Sequence, residues 1–196
     1  MRMRRRTVLA LGIPALLSGA PSILGRWRSV TTTKGGIGAV YDFRSNGAAH
    51  YSSVALVDVD YRLNATVLTL GGQSIGIGWH QDGRLQFNFG NDVVEDFTRQ
   101  GQPPSAQEPL LGEWSGTRMM QNHAIPVTMQ FHSGGRSLMV LFLKTHAGRY
   151  KPTPSQQDAW TATIPSLPSR GIRLLPASNQ LEITVQGGDP HLFARY

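Results

Sequence analysis

Short alternations of apolar and polar residues, cut at close intervals by turn residues, dominate this chain and favour antiparallel sheet. Val57, Val59, Tyr61 and Leu63 alternate with Asp58, Asp60 and Arg62, a period of two that gives a strand one apolar face. Arg84–Phe89 and Gln180–Val185 alternate in the same way. Ser45-Asn46-Gly47, Gln81-Asp82-Gly83, Gly90-Asn91-Asp92, Ser133-Gly134-Gly135, Ser178-Asn179 and Gly187-Gly188-Asp189-Pro190 separate the runs. Asp82-Gly83, between Ile75–Trp79 and Arg84–Phe89, is a strong hairpin signal. Successive runs lie only about 8–12 residues apart, a spacing that favours an antiparallel meander over a sheet with helical crossovers. Strands are predicted near 27–33, 37–43, 48–56, 57–63, 66–70, 74–79, 84–89 and 93–99, with a similar series in the second half. No long segment after residue 20 has a helical period. The fold class is all-β, an antiparallel meander β-barrel.

The chain also repeats itself. Leu24-Gly25-Arg26-Trp27 is echoed by Leu111-Gly112-Glu113-Trp114, and Tyr41–Gly47 by Met129–Gly135. Arg84–Phe87 followed by Phe97-Thr98-Arg99 is answered by Gln180–Ile183 followed by Phe193-Ala194-Arg195. Three matches in one order imply two tandem β units, residues 23–100 and 110–196. Between them lies 101–109, a polar linker marked by Pro103, Pro104 and Pro109. Each unit closing as its own small barrel is the preferred arrangement; one larger composite barrel is the alternative.

Residues 1–20 read as an export signal. Arg2, Arg4, Arg5 and Arg6 form a basic segment, Val8–Leu17 an apolar one too short to span a bilayer, and Ser18-Gly19-Ala20 a small-residue cleavage region. Arg5-Arg6-Thr7-Val8-Leu9 also resembles a twin-arginine signal. A periplasmic or secreted product follows, with no stable membrane span once the signal is removed. Setting the four leader arginines aside lowers the net charge from +7 to about +3. The remaining basic residues are scattered, a pattern that argues against nucleic-acid binding. The chain has no cysteine, so burial and strand pairing alone must hold it together.

The Gly-x-Trp opening, the strand ending in Phe before a Gly turn, the Tyr-bearing strand, the Leu-rich hairpin and the closing aromatic-x-Arg resemble the bacterial lipocalin-like domain proteins. Gly25, Trp27, Phe43, Gly47, Tyr61, Leu68, Leu70, Leu85, Phe97 and Arg99 carry the pattern in the first unit. Gly112, Trp114, Phe131, Gly135, Tyr150, Leu181, Phe193 and Arg195 carry it in the second. The resemblance implies that a tryptophan lies across one end of each barrel, with an arginine from the last strand over its indole. The implied structural pairs are Trp27 with Arg99 and Trp114 with Arg195.

Catalytic signals are absent from the sequence. There is no Ser-centred elbow and no acid set among apolar residues in a way that would raise its pKa. Asp58 and Asp60 share the outer face of a strand, where solvation is the expected role. Gly71-Gly72 and Gly76-x-Gly78 lack the Lys-Ser/Thr and helix that a phosphate loop needs. The six histidines show no ligand spacing, so neither a metal nor a cofactor is expected. His123 and His132, near Met119 and Met120, could approach one another across a hairpin. The remaining aromatics, Trp79, Trp160, Tyr51, Phe142 and Tyr150, are the candidate ligand-binding residues, at a barrel mouth or in a cleft between the units. The expected function is non-enzymatic: binding of a small apolar ligand, or an envelope interaction module. The alternative is a barrel enzyme, such as an isomerase or cyclase acting on an apolar substrate.

Overall fold

The computed structural model describes residues 22–90, 93–102 and 107–196. The leader expected over 1–20 lies outside the described residues, as does the middle of the 101–109 linker. Among the described residues there are fourteen strands and no helix, all paired antiparallel. They are β1 (Gly25–Ser29), β2 (Ile37–Phe43), β3 (Ala48–Asn64), β4 (Val67–Leu70), β5 (Gln73–Trp79), β6 (Leu85–Asn88) and β7 (Val94–Gln100). Then follow β8 (Gly112–Met120), β9 (His123–His132), β10 (Arg136–Pro152), β11 (Ala159–Thr163), β12 (Arg170–Leu175), β13 (Gln180–Val185) and β14 (Pro190–Arg195). The strands form one closed ring, in which β14 returns to pair with β1. A closed antiparallel ring disposes of sheet edges, the main aggregation hazard of a β protein without disulfides.

The runs expected at 48–56 and 57–63 are one strand. No turn residue separates Leu56 from Val57, and β3 continues for 17 residues. β10 is equally long, and the two pair from Arg136↔Asp60 to Arg149↔Ala48, across the middle of the ring. This pairing pinches the ring into two eight-strand barrels that share β3 and β10. The terminal barrel contains β1, β2, the first part of β3, the second part of β10, and β11–β14. The central barrel contains the rest of β3, β4–β9 and the first part of β10. Neither sequence unit therefore closes on itself. Each barrel takes three strands from one stretch of chain and five from the other.

β10 passes from one barrel to the other through a bulge. Its register to β3 shifts between Phe142 and Lys144, leaving Leu143 as the extra residue. Met139 and Leu141 pack against the central core before the bulge, and Tyr150 against the terminal core after it. The inserted residue switches the inward set from odd to even positions, because the side-chain period of a strand is two.

Three apolar clusters follow from this layout. Trp27, Tyr41, Phe43, Ile172, Leu181 and Phe193 belong to the terminal core. Leu85, Phe87, Phe97, Trp114, Met129 and Phe131 belong to the central one. Val40, Val54, Leu138 and Val140 join the outer faces where the barrels meet. Arg26 and Glu113 form an ion pair between β1 and β8.

Candidate functional site

The indole plugs set the orientation of both barrels. Trp27 is 0% exposed and Trp114 1%. Trp27 Nε1–H donates to the Ile23 carbonyl and Trp114 Nε1–H to the Leu110 carbonyl, each at 2.7 Å. The guanidinium over Trp27 is that of Arg195, at 4.4 Å from the ring centroid, and the one over Trp114 is that of Arg99, at 5.0 Å. The expected partners are thus exchanged. Arg195 lies opposite Trp27 in the β1–β14 ladder, and Arg99 opposite Trp114 in the β7–β8 ladder. Closure of each barrel by strands of the other stretch brings the cation from there. Each arginine also ties down the entering chain: Arg195 donates to the Leu24 and Ser22 carbonyls at 2.7 and 2.8 Å, and Arg99 to the Leu111 carbonyl.

Away from the plugs the barrels differ. In the central barrel Val127 pairs with Leu141 and Met129 with Met139, and these side chains pack against the core. At the same level of the terminal barrel Ala39 pairs with Ser53, and Tyr41 with Tyr51. Two small side chains stand where the other barrel has a valine and a leucine. A cavity of about 330 Å³ opens there, at the end away from Trp27. Ile37, Ala39, Ile183, Val185 and Phe193 give it an apolar wall, and Ser29, Ser53, Thr31 and Thr33 lie around it.

Arg170 also lines this cavity. It shares the inward phase of β12 with Ile172 and Leu174 and is only 4% exposed. Its charge lies 4.9 Å from the Tyr51 ring centroid and 6.0 Å from that of Tyr41. Its Nη1 donates to the Pro168 carbonyl at 2.6 Å, and its Nε is buried without a hydrogen-bond partner. Among the described residues no carboxylate forms an ion pair with it. Burial pushes the Tyr41 phenol far above its ordinary range, and the charge of Arg170 and its hydrogen bond to the phenol oxygen only partly offset this. Tyr41 is accordingly a neutral group at any ordinary pH.

The corresponding end of the central barrel is sealed. Arg118, placed after Trp114 as Thr31 is after Trp27, donates from Nε and Nη2 to the two carboxylate oxygens of Glu95 at 2.7 and 2.9 Å. Phe89 lies under that guanidinium at 5.0 Å, and Met139 Sδ accepts from Nη1 at 3.7 Å. His191 precedes Arg195 by the same interval at which Glu95 precedes Arg99, so the terminal barrel has an imidazole where the central one has an acid.

Of the five aromatics expected to bind ligand, only Tyr51 lines the cavity. Trp79 lies on β5 of the central barrel, 5.7 Å from Trp114. Trp160 lines a separate groove of about 270 Å³ beside Arg173 and Glu182. Phe142 packs into the cluster between the barrels. Tyr150 stands edge-on to Phe43 at 5.2 Å, its hydroxyl donating to the Arg44 carbonyl at 2.8 Å. These rings do not meet in a cleft between sequence units, because the units interleave. His123 and His132 stand at opposite ends of β9 rather than across a hairpin. Asp58 and Asp60 both face Arg136 on the surface. Among the described residues no group of three or more histidines or acids is placed to hold a metal.

Arg170, Tyr41 and Ser53 were not singled out from the sequence. The signal for Arg170 is its phase, since Arg170, Ile172 and Leu174 alternate with Gly171 and Arg173. A scan against protein-family models finds no match for this chain, and comparisons with curated proteins and with solved structures find none either.

Proposed function

We propose that this chain is an exported, non-catalytic binding protein of the lipocalin-like type that holds one small, largely apolar molecule in the open end of its terminal barrel. The observation that carries this reading is the difference between the two interiors. In one, the Arg118–Glu95 pair occupies this end and a smaller pocket of about 190 Å³ lies instead beside Tyr61, Leu63 and Leu110, whereas the other keeps a cavity of about 330 Å³ beside Ala39 and Ser53. A volume near the lower bound of about 300 Å³ typical of ligand pockets suits a molecule of modest size. The apolar wall supplies affinity by burial, and the hydroxyls supply orientation. The basic and apolar segments of residues 1–20 support export to the periplasm or beyond. The parallel placement of Trp27 and Trp114 supports descent of the two stretches from one copied unit.

The test fills the cavity with the side chains the other barrel uses. The double variant Ala39→Val/Ser53→Leu should raise stability by about 0.5–2 kcal/mol, as cavity-filling changes commonly do. In calorimetry against a panel of small apolar compounds, the wild-type chain should bind saturably and the double variant should not. Equal binding by both proteins would place the ligand elsewhere and remove this reading.

A further inference from the structure

The cavity carries a charge requirement that an apolar ligand alone does not meet. Removing a guanidinium from water costs several kcal/mol unless an anion or a full set of acceptors replaces the lost hydration. Arg170 has one backbone acceptor, the hydroxyl of Tyr41 beside it, two tyrosine rings and a bare Nε. Stacking on aromatic rings offsets part of the cost but satisfies no N–H donor. The central barrel shows how this fold completes such a site, because Arg118 turns its Nε–Nη2 edge onto the Glu95 carboxylate. On Arg170 the Nε of that same edge is unpartnered, and the position equivalent to Glu95 is His191, which supplies no negative charge.

We infer that the ligand of the terminal barrel is a small amphipathic carboxylate, its head group paired with Arg170 and its apolar tail laid along Ile37, Ile183, Val185 and Phe193. The ligand supplies in this barrel the carboxylate that Glu95 supplies in the other. A planar carboxylate matches the fork of a guanidinium, which donates two parallel hydrogen bonds from one edge. The buried setting strengthens that pair, because little solvent screens it. Tyr41, held neutral, does not compete with the ligand as a second anion.

This inference rests on the binding reading above, and its experiment separates the two. Octanoate, 1-octanol and octylammonium share one tail and differ in the charge of the head group. They are titrated at neutral pH by calorimetry into the full chain and into Arg170→Met and Arg170→Lys, with circular dichroism checking that each variant is folded. For the wild-type chain octanoate should bind at least about tenfold more tightly than octanol, the scale of one charge-assisted hydrogen bond, and octylammonium should bind most weakly. Arg170→Met should abolish the preference for octanoate while still binding octanol, and Arg170→Lys should keep part of it. The wild-type comparison alone decides the matter if the Met variant fails to fold. Octanol binding as tightly as octanoate would overturn the carboxylate inference and leave the apolar carrier standing. Binding of none of the three would overturn both.

Discussion

A guanidinium stacked on an indole contributes roughly 0.5–2 kcal/mol, depending on how far both groups are desolvated. Trp27 and Trp114 are fully buried; Trp27 is covered by Arg195 from the far end of the chain, and Trp114 by Arg99 from the preceding strand. Replacing either tryptophan with alanine should cost about 3–5 kcal/mol, chiefly through the cavity left behind. The identity of the partner is the sharper test. In a double-mutant cycle by chemical denaturation, Trp27→Leu and Arg195→Ala should show a coupling of about 0.5–2 kcal/mol. Trp27→Leu and Arg99→Ala, in different barrels, should add to within about 0.3–0.5 kcal/mol. Coupling of Trp27 to Arg99 instead would contradict the exchange of strands. Gly25 and Gly112 belong to the same device. Their φ angles are +108° and +109°, and a Cβ on either would stand 3.0 Å from the covering arginine. Alanine at Gly112 should therefore cost about 1–3 kcal/mol in the same measurement, a strain that glycine escapes.

At the scale of the strand, what was legible was whatever is written in local periodicity. The Asp82-Gly83 hairpin joins β5 to β6 with Gly83 at φ +82°, and β2 spans the residues 37–43 expected to form a strand. Strand identity came through because a half-buried strand must alternate. Pairing partners did not, because β3 and β10 are brought together by closure of the ring and not by a turn. The same limit explains the site. Trp79, Trp160 and Phe142 stood out as aromatics, yet only adjacency in the folded sheet decides which rings face one cavity. Arg170 and Glu95 carried a usable signal, being charges on the inward phase of their strands, beside Ile172 and Phe97 respectively. The Arg118–Glu95 pair illustrates what an inward charge needs. Glu95→Gln should destabilise the chain by about 3–5 kcal/mol, because it leaves the partly buried Arg118 uncompensated. Glu95→Leu/Arg118→Met, removing both charges, should recover most of that loss in thermal denaturation. A single substitution with no effect would show that the pair is solvated, and the contrast with Arg170 would lose its force.

For the whole molecule, the interleaving of strands makes the two ends of the chain one structural unit. β1 and β2 lie in the same barrel as β11–β14, and the central barrel holds β4–β7 beside β8 and β9. Cutting the chain between Gln100 and Pro109 would therefore separate strands that complete each other's barrels. The N-terminal piece would retain β1–β7 but lack the strands that cover the Trp27 plug, since Arg195 and Phe193 lie on the other piece. The C-terminal piece would likewise lack Arg99 and Phe97 beside Trp114. Each piece alone exposes an unfilled apolar face and two unpaired edges, conditions under which a sheet does not persist as a monomer. The intact chain should accordingly unfold in a single cooperative transition, with tryptophan fluorescence and far-UV dichroism coincident along the denaturant axis. The two pieces should each be unfolded or aggregated when refolded alone. Refolded together, they should give a 1:1 complex with the dichroism of the intact chain. If either piece instead refolds alone into a stable monomer with a buried tryptophan, its barrel closes without the other stretch, and the exchanged topology is refuted.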